Sequence, residues 1–304
     1  IFSALSIELY RILNSTIRYH TIWSYIRSFY PPLVLLTFIS VSISIYVGDR
    51  GPVITLLILS FSIFFIKFYK LSFLKTFFII FILSTIFSLL GEVRTRVVGD
   101  SFLDRVSEAS LTPGGSEWFG EAENIPGANL IELALSVRTL SVCVRDVPNE
   151  FDYHYGMFQF QHLASVFPGA QGLINKLVYG GDQIYNGSAS YITYLIHRRP
   201  SDYGDGSSII ADLYLDFGII GVVIIMFLFG RFISRIELDV FQEKIKFDIR
   251  FIIFLTFLSN SIYLSRSALM LEFSNIILSY LLIRLVSLFL DHRANKLDLR
   301  TDNN

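Results

Sequence analysis

The fold of this 304-residue chain is decided by residues 31–67, which read "PPLVLLTFISVSISIYVGDRGPVITLLILSFSIFFIK". Two apolar runs of 15 and 14 residues, 33–47 and 53–66, flank a turn that contains Asp49 and Arg50. A transmembrane helix needs about 20 apolar residues to cross about 30 Å of hydrocarbon. Because both runs are shorter, either the bilayer thins locally or the turn lies in a recess below the outer surface.

The composition of the whole chain agrees with a membrane protein. Hydrophobic residues make up 53% and charged residues 17%, and the mean hydropathy is +0.55. These values are too apolar for an ordinary soluble domain of this length. The single cysteine, Cys143, excludes an internal disulfide and any CxxC metal or redox site. The sequence starts at Ile1, and we expect it to be part of a longer polytopic chain.

Six apolar runs are candidates for membrane spans. They lie at residues 29–47, 52–68, 73–90, 209–230, 249–264 and 268–290. Lys and Arg accumulate on the cytoplasmic side of membrane proteins. With six spans, the basic residues of 1–30, 67–75, 231–250 and the C-terminal tail all fall on that one side. The outer side then receives the turn at Arg50, a long central segment and the turn at 264–268.

This topology predicts an all-α polytopic membrane protein with about six transmembrane helices. Its parts are a basic cytoplasmic or interfacial segment (1–30), three transmembrane helices (31–90), a large periplasmic segment with short helices (91–205), three further transmembrane helices (206–290) and a cytoplasmic tail (291–304).

The outer segment, residues 91–205, is longer than a connection between two spans requires. We expect a Gly-, Pro- and Glu-rich loop at 112–127, an apolar helix at 128–144 and a second short helix at 158–169. It contains no Gly-rich phosphate loop followed by Lys, no HExxH and no GxSxG. The sequence therefore gives no indication of a soluble enzyme domain of these classes.

Basic residues on the predicted outer side are almost all arginines. They are Arg50, Arg94, Arg96, Arg105, Arg138, Arg145, Arg198, Arg199 and Arg266, with Lys176 as the one lysine. Guanidinium is a planar, permanently charged fork that suits phosphate and carboxylate oxygens. The bias indicates recognition of an anion outside, although we expect at least half of these arginines to pair with carboxylates of the protein itself.

Four of the arginines are candidates for a shared anion site. Arg50 and Arg266 lie on short outer turns, and Arg138 and Arg145 are seven residues apart, which places them on one face of a helix. The alternative for Arg50 is that its side chain extends to the lipid headgroups, as arginines at the ends of spans often do.

The fourth span begins with two carboxylates. Asp212 and Asp216 are four residues apart and therefore share one helical face near the outer end. Carboxylates there interact favourably with the helix dipole. Since intramembrane carboxylates usually face a polar interior, Asp212 is also a candidate for a functional cavity, and Asp216 is a weaker one.

Five motifs together resemble the Wzy-type oligosaccharide repeat-unit polymerases, the O-antigen polymerases of bacterial surface polysaccharide synthesis. They are "GDRG" (48–51), "VRDVPNEFDYHYG" (144–156), "FPG" (167–169), "GDGSSIIADLYLDFGIIG" (204–221) and "LSRSA" (264–268). Arg145 and Gly156 also match an Arg-x10-Gly spacing known in some of these proteins.

The resemblance implies a membrane glycosyltransferase of GT-C-like architecture in the cell inner membrane, with its active site facing the periplasm. Its substrate would be oligosaccharide repeat units on undecaprenyl pyrophosphate, and its product a polymer such as the O antigen of lipopolysaccharide. It implies no cofactor, no bound metal and no nucleic acid. Partners would be membrane lipids and a chain-length regulator protein.

The same chemistry assigns roles to residues. Negative charge develops on the pyrophosphate leaving group, and preorganised arginines would neutralise it; the candidates are Arg50, Arg138, Arg145 and Arg266. The acceptor hydroxyl needs a base, for which Asp212 and His154 are the candidates.

Three alternatives stay open. An O-antigen ligase would hand the finished glycan to a lipid A core, and a lipid-oligosaccharide flippase or other transporter would translocate it. Transporters tend to carry charges along the midplane of several spans, whereas here charges concentrate at one membrane face. The third alternative is a membrane scaffold without activity.

Overall fold

The described part of the chain is built from helices. The computed structural model describes residues 1–15, 19–47, 50–68, 72, 74–75, 128–200, 206–242 and 248–301, and no strand occurs among them. The helices are α1 (Phe2–Asn14), α2 (Ile22–Ile26), α3 (Pro31–Val47), α4 (Arg50–Ile63), α5 (Ala128–Asp146), α6 (Met157–Ala164), α7 (Ala170–Tyr179), α8 (Ser188–His197), α9 (Ile209–Gln242), α10 (Ile249–Ser259) and α11 (Leu269–Thr301). A π-helical turn, Phe64–Phe68, continues α4, and 3-10 helices lie at Gln183–Tyr185 and Leu264–Arg266.

Helix α9 is long and apolar enough to cross a membrane. Its stretch Ile209–Val240 contains a window with a mean hydropathy of 2.3, and it is the one helix among the described residues that meets both criteria. Pro31–Val47, Gly51–Ile63 and Ile249–Ser259 are shorter apolar helices. The expectation of an all-α chain is confirmed for the described residues, whereas six spans and a GT-C-like architecture stay predictions.

Parts of the predicted topology lie outside the described residues. These parts are residues 76–90 of the third predicted span and the loop at 112–127. Helix α5 covers the predicted helix at 128–144, and α6 begins close to the predicted start at 158 but ends at Ala164.

Apolar side chains are exposed around several helices, as lipid contact requires. Helix α3 buries Leu33 alone among its 17 residues, and Phe38 is 68% exposed. On α9, Ile220 and Phe227 are exposed to a similar degree. Contact of such a continuous apolar surface with water costs free energy, whereas contact with the hydrocarbon of a bilayer does not.

Helices α1 and α2 form the N-terminal end of the core. Tyr25 is fully buried, and its hydroxyl donates to the carbonyl of Ser60 on α4 over 2.8 Å. The carboxylate of Glu8 accepts from the guanidinium of Arg11 and from the backbone N–H of Tyr30 at 2.9 Å. These bonds fix α1 and α2 against the start of α3 and against α4.

Helix α9 is broken at Gly218, and this break positions the candidate site. Gly218 has φ 63° and ψ −170°, so the ladder of backbone hydrogen bonds cannot continue through it. The carbonyls of Leu215 and Asp216 instead accept from the backbone N–H groups of His154 (2.9 Å) and Tyr155 (3.1 Å). Irregular backbone at membrane depth is tolerated where protein covers it, and residues 153–156 provide that cover.

Helix α6 begins directly after this contact and lies between α9 and α11. The hydroxyl of Ser274, near the start of α11, donates to the carbonyls of His162 (2.5 Å) and Leu163 (3.1 Å) at the C-terminal end of α6. Carbonyls in the last turn of a helix have no partner within the helix. The serine therefore fixes one end of α6, and α9 holds the other.

Candidate functional site

Asp216 fixes the N-terminal end of α6. Its carboxylate is fully buried and accepts from the backbone N–H groups of Phe158 (3.3 Å) and Gln159 (2.9 Å). Gly156 precedes the helix with φ 87°, a conformation that glycine adopts readily. The structure thus shows that Asp216 interacts with the positive end of α6, a helix other than its own.

Asp212 lies one turn before Asp216 on the same face of α9 and is also fully buried. Its Oδ2 accepts a hydrogen bond of 2.6 Å from Nε2 of Gln159. Its Oδ1 is 3.3 Å from Nε2 of His162, and it forms no hydrogen bond with any described residue. The distance permits an ion pair, but the geometry is outside that of a hydrogen bond. One carboxylate oxygen is therefore held and the other has unused acceptor capacity.

His162 connects Asp212 to helix α8. Its Nε2, 3.3 Å from Asp212, is also 3.1 Å from Oγ of Ser188, the first residue of α8. A carboxylate with a neighbouring imidazole can accept a proton from a hydroxyl and pass it on. The arrangement of Asp212, His162 and Ser188 is therefore suited to general-base chemistry.

His154 lies just before α6 and packs against its first turn. Its ring packs against Phe158, with centroids 4.4 Å apart, and against Tyr191 at 4.5 Å. Nδ1 is 3.3 Å from the hydroxyl of Tyr179, and Nε2 is buried without a hydrogen-bond partner among the described residues. Burial lowers the pKa of His154 to about 4, so the imidazole is neutral at neutral pH.

We expect the contribution of His154 to the unfolding temperature to fall as the pH drops from about 6.5 to about 4. The pKa of His154 is 6.5 in the reference state and about 4 in the fold, so in this window the unfolded chain binds a proton that the folded chain does not. Above pH 6.5 His154 is neutral in both states and does not change the stability. Below that pH, protonation of the unfolded chain progressively lowers the free energy of unfolding. His154→Phe removes the titrating group and should flatten this pH dependence. Thermal unfolding of both proteins in detergent tests this, and identical pH profiles would contradict it.

Arg145 and Arg198 share one buried carboxylate, that of Asp146 at the end of α5. Asp146 accepts from Arg145 at 2.5 and 3.0 Å and lies 3.0 Å from Arg198, which also pairs with Glu150 at 2.8 Å. The hydrogen bond from Arg145, together with the charge of Arg198, holds the pKa of Asp146 below its usual range. The expected pairing of outer arginines with carboxylates is thus observed for these two. The hydroxyl of Tyr214 on α9 donates to the carbonyl of Val147 (3.0 Å), which attaches this cluster to α9.

The other predicted anion ligands lie on neighbouring elements. Arg138 is exposed on α5, about two turns before Arg145. The 3-10 helix Leu264–Arg266 packs against both α5 and α9, and a Cβ on Gly206 would lie 3.7 Å from Nη2 of Arg266. The side chain of Arg50, at the start of α4, lies outside the described residues. Arg138, Arg145 and Arg266 therefore occupy adjoining elements near the N-terminal end of α9.

Three residues of this site carried no clear signal in the sequence. Gln159 and His162 lie beside Asp212 and Ser188 lies beside His162, whereas the sequence favours His154 as a candidate base and predicts no pairing with Asp212. The spacing of Gln159 and His162, three residues on a short helix, placed them on one face, but nothing local linked that face to α9. Across the described ranges, no cluster of three His, Cys, Asp or Glu side chains suits a metal ion.

One of three comparisons with known proteins finds a match. No curated protein and no solved structure matches the chain. The family model described as O-antigen polysaccharide polymerase Wzy matches residues 27–293, most of the chain, and this range includes the broken helix, α6 and the arginine-bearing elements. The chain therefore belongs to the O-antigen polysaccharide polymerase Wzy family, whose members are membrane proteins.

Proposed function

We propose that this polymerase joins oligosaccharide repeat units carried on undecaprenyl pyrophosphate, at the periplasmic face of the inner membrane. The observation that carries the proposal is Asp212, a fully buried carboxylate near the predicted outer end of an apolar helix. Gln159 fixes one of its oxygens, and the other forms no hydrogen bond with the residues that the structure describes. Burying a charge is costly unless it is stabilised, and intramembrane carboxylates usually have functions.

The reaction we propose is a glycosyl transfer. The bond between the growing glycan and its lipid pyrophosphate breaks, and a hydroxyl of the next lipid-linked unit forms the new glycosidic bond. The hydroxyl proton passes to Oδ1 of Asp212, with His162 beside it at 3.3 Å. His154 is the second candidate acceptor for this proton, since it is neutral and its Nε2 has no hydrogen-bond partner within the described part of the chain.

The leaving lipid pyrophosphate requires positive charge. We propose that Arg50, Arg138, Arg145 and Arg266 supply it. Supporting this, Arg138, Arg145 and Arg266 lie on adjoining elements near the same end of α9 as Asp212. Asp146 orients the guanidinium of Arg145 through two hydrogen bonds, and preorganised charges of this kind act without reorganising during the reaction.

Arg266→Lys should lower the rate of chain extension by about 10- to 100-fold, because a lysine keeps the charge but loses the planar fork. Arg250→Lys is the matched control, since Arg250 pairs with Asp239 at the opposite end of α9 and should tolerate the change. Polymer ladders from purified, reconstituted proteins measure both rates. Normal chain extension by the Arg266→Lys protein would show that Arg266 does not contribute to the pyrophosphate site.

A reconstituted assay distinguishes the proposal from its alternatives. Proteoliposomes receive lipid-linked repeat units alone, and a polymerase should produce a ladder of products. Transfer only after addition of lipid A core would indicate a ligase, and translocation without new bonds would indicate a flippase. A chain-length regulator protein, if it is a partner, should change the length distribution of the ladder when it is added.

A further inference from the structure

Helices α6 and α7 have a polarity opposite to that of helices on a water-exposed surface. Their exposed face is apolar: Phe167, in the link between them, is 68% exposed, and Leu173 and Leu177 on α7 are 59% and 76% exposed. Phe160 on α6 is also exposed. The spacing of Leu173 and Leu177 by four residues places them together on one side of α7.

The buried face of the same two helices is mainly polar, with Phe158 as the apolar exception. Gln161 donates to the carbonyl of Tyr185 over 3.2 Å, and Asn175 donates to the carbonyl of Asp182 over 3.0 Å. Gln159 and His162 point towards Asp212. Scattered exposed apolar residues are ordinary, but polar residues inside combined with large apolar residues outside on two consecutive helices indicate that the outer solvent is not water.

The position of α6 agrees with this reading. It contacts α9 at Asp216, seven residues or about 10 Å from the start of that helix, and α11 at Ser274, five residues or about 8 Å from its start. The attachment points of α6 therefore lie below the outer ends of both helices. At the same level, Phe217 and Ile220 of α9 are exposed, which extends the apolar surface of α9 towards α6.

We propose that α6 and α7 lie within the outer leaflet of the bilayer, with their apolar faces on lipid tails, the polar face of α6 on Asp212 and the polar face of α7 on the loop at Asp182. The occupant of this surface is lipid hydrocarbon, because the surface continues the apolar surface of α9, a helix long enough to span the membrane. Residues 157–179 are then membrane-embedded rather than part of a water-exposed periplasmic segment. The inference rests on the membrane fold and not on the proposed reaction.

Cysteine labelling tests this placement. Single cysteines replace Leu173, Leu177 or, as the water-exposed control, Asn149, which lies after α5 and outside residues 157–179. The background is Cys143→Ala; Cys143 is buried, and burial raises its pKa to about 12. A membrane-impermeant maleimide should modify N149C at least about tenfold faster than L173C and L177C in liposomes, since low-dielectric surroundings suppress the thiolate. All three should react equally after denaturation in SDS.

A spin label on the same cysteines identifies the surroundings. Lipid contact predicts that the label at position 177 is relaxed strongly by oxygen and weakly by a water-soluble nickel chelate. Rapid labelling of L173C and L177C, or strong relaxation by nickel, would overturn the proposal in favour of a water-exposed surface. Protection from both relaxation agents would overturn it in favour of a second copy or another protein. The polymerisation activity of each variant is measured in a separate assay, because the placement of α6 and α7 does not depend on the proposed reaction.

Discussion

Asp212→Asn is expected to reduce polymerisation by about 10² to 10⁴, the range that a general base contributes to catalysis. The substitution keeps the shape of the side chain and the acceptor for Gln159, but it removes the proton-accepting capacity of Oδ1. Because asparagine keeps the hydrogen bond from Gln159, the unfolding temperature should stay close to that of the unmodified protein. Polymer ladders and thermal unfolding of the purified protein measure the two effects independently.

Two further variants make this result specific. Asp239→Asn lies at the other end of α9, where Asp239 pairs with Arg250 in an exposed position. Exposed pairs contribute about 0–1 kcal/mol, so this protein should polymerise normally. Asp212→Glu restores a carboxylate and should recover part of the activity. A folded Asp212→Asn protein with full activity would exclude Asp212 as the base and would leave His154 as the remaining candidate.

Gly218→Ala is expected to lower both the stability and the activity of the protein. At φ 63° and ψ −170° a residue other than glycine costs about 1–3 kcal/mol. The added Cβ would also lie 3.0 Å from the hydroxyl oxygen of Tyr153 and 3.1 Å from its Cζ. Moving Tyr153 displaces the segment that carries His154 and donates hydrogen bonds to α9.

Gly230→Ala is the matched control for this prediction. Gly230 lies on the same helix, and a Cβ there would have no heavy atom within 4 Å. Alanine is favoured over glycine by up to about 1 kcal/mol in a helix interior, so this variant should be neutral or slightly more stable. Equal unfolding temperatures for the two variants would mean that the break at Gly218 is absent from the protein in solution.

Local periodicity predicted more of the structure than of the site. The spacing of Asp212 and Asp216 indicated a shared helical face, and both side chains are buried on that face. Their partners, Phe158 and Gln159, are more than 50 residues away in the sequence, and no pattern of spacing reports contacts at such a distance. The break at Gly218 could not be predicted either, because "LDFGIIG" (215–221) lies within one continuous predicted membrane span, residues 209–230.

The arginines also show that the sequence predicts the position of a residue on a helix but not its distant partner. The seven-residue spacing of Arg138 and Arg145 placed them on one helix, and α5 contains both. The sequence could not show that Asp146, the next residue, would hold Arg145 and Arg198 together, since Arg198 follows the end of α8, more than 50 residues later. The helix that carries an arginine is thus predictable from the sequence, whereas the carboxylate with which it pairs depends on the tertiary structure.

The break in α9 also constrains how the protein is made. Residues 153–156 are translated before α9, yet their backbone N–H groups are the partners of the carbonyls of Leu215 and Asp216. Before the two meet, α9 can form an unbroken helix in which those carbonyls accept from the backbone N–H groups of residues 219 and 220. The break at Gly218 therefore accompanies the docking of residues 153–156 on α9, and a chain that has not completed this docking would still carry the unbroken helix.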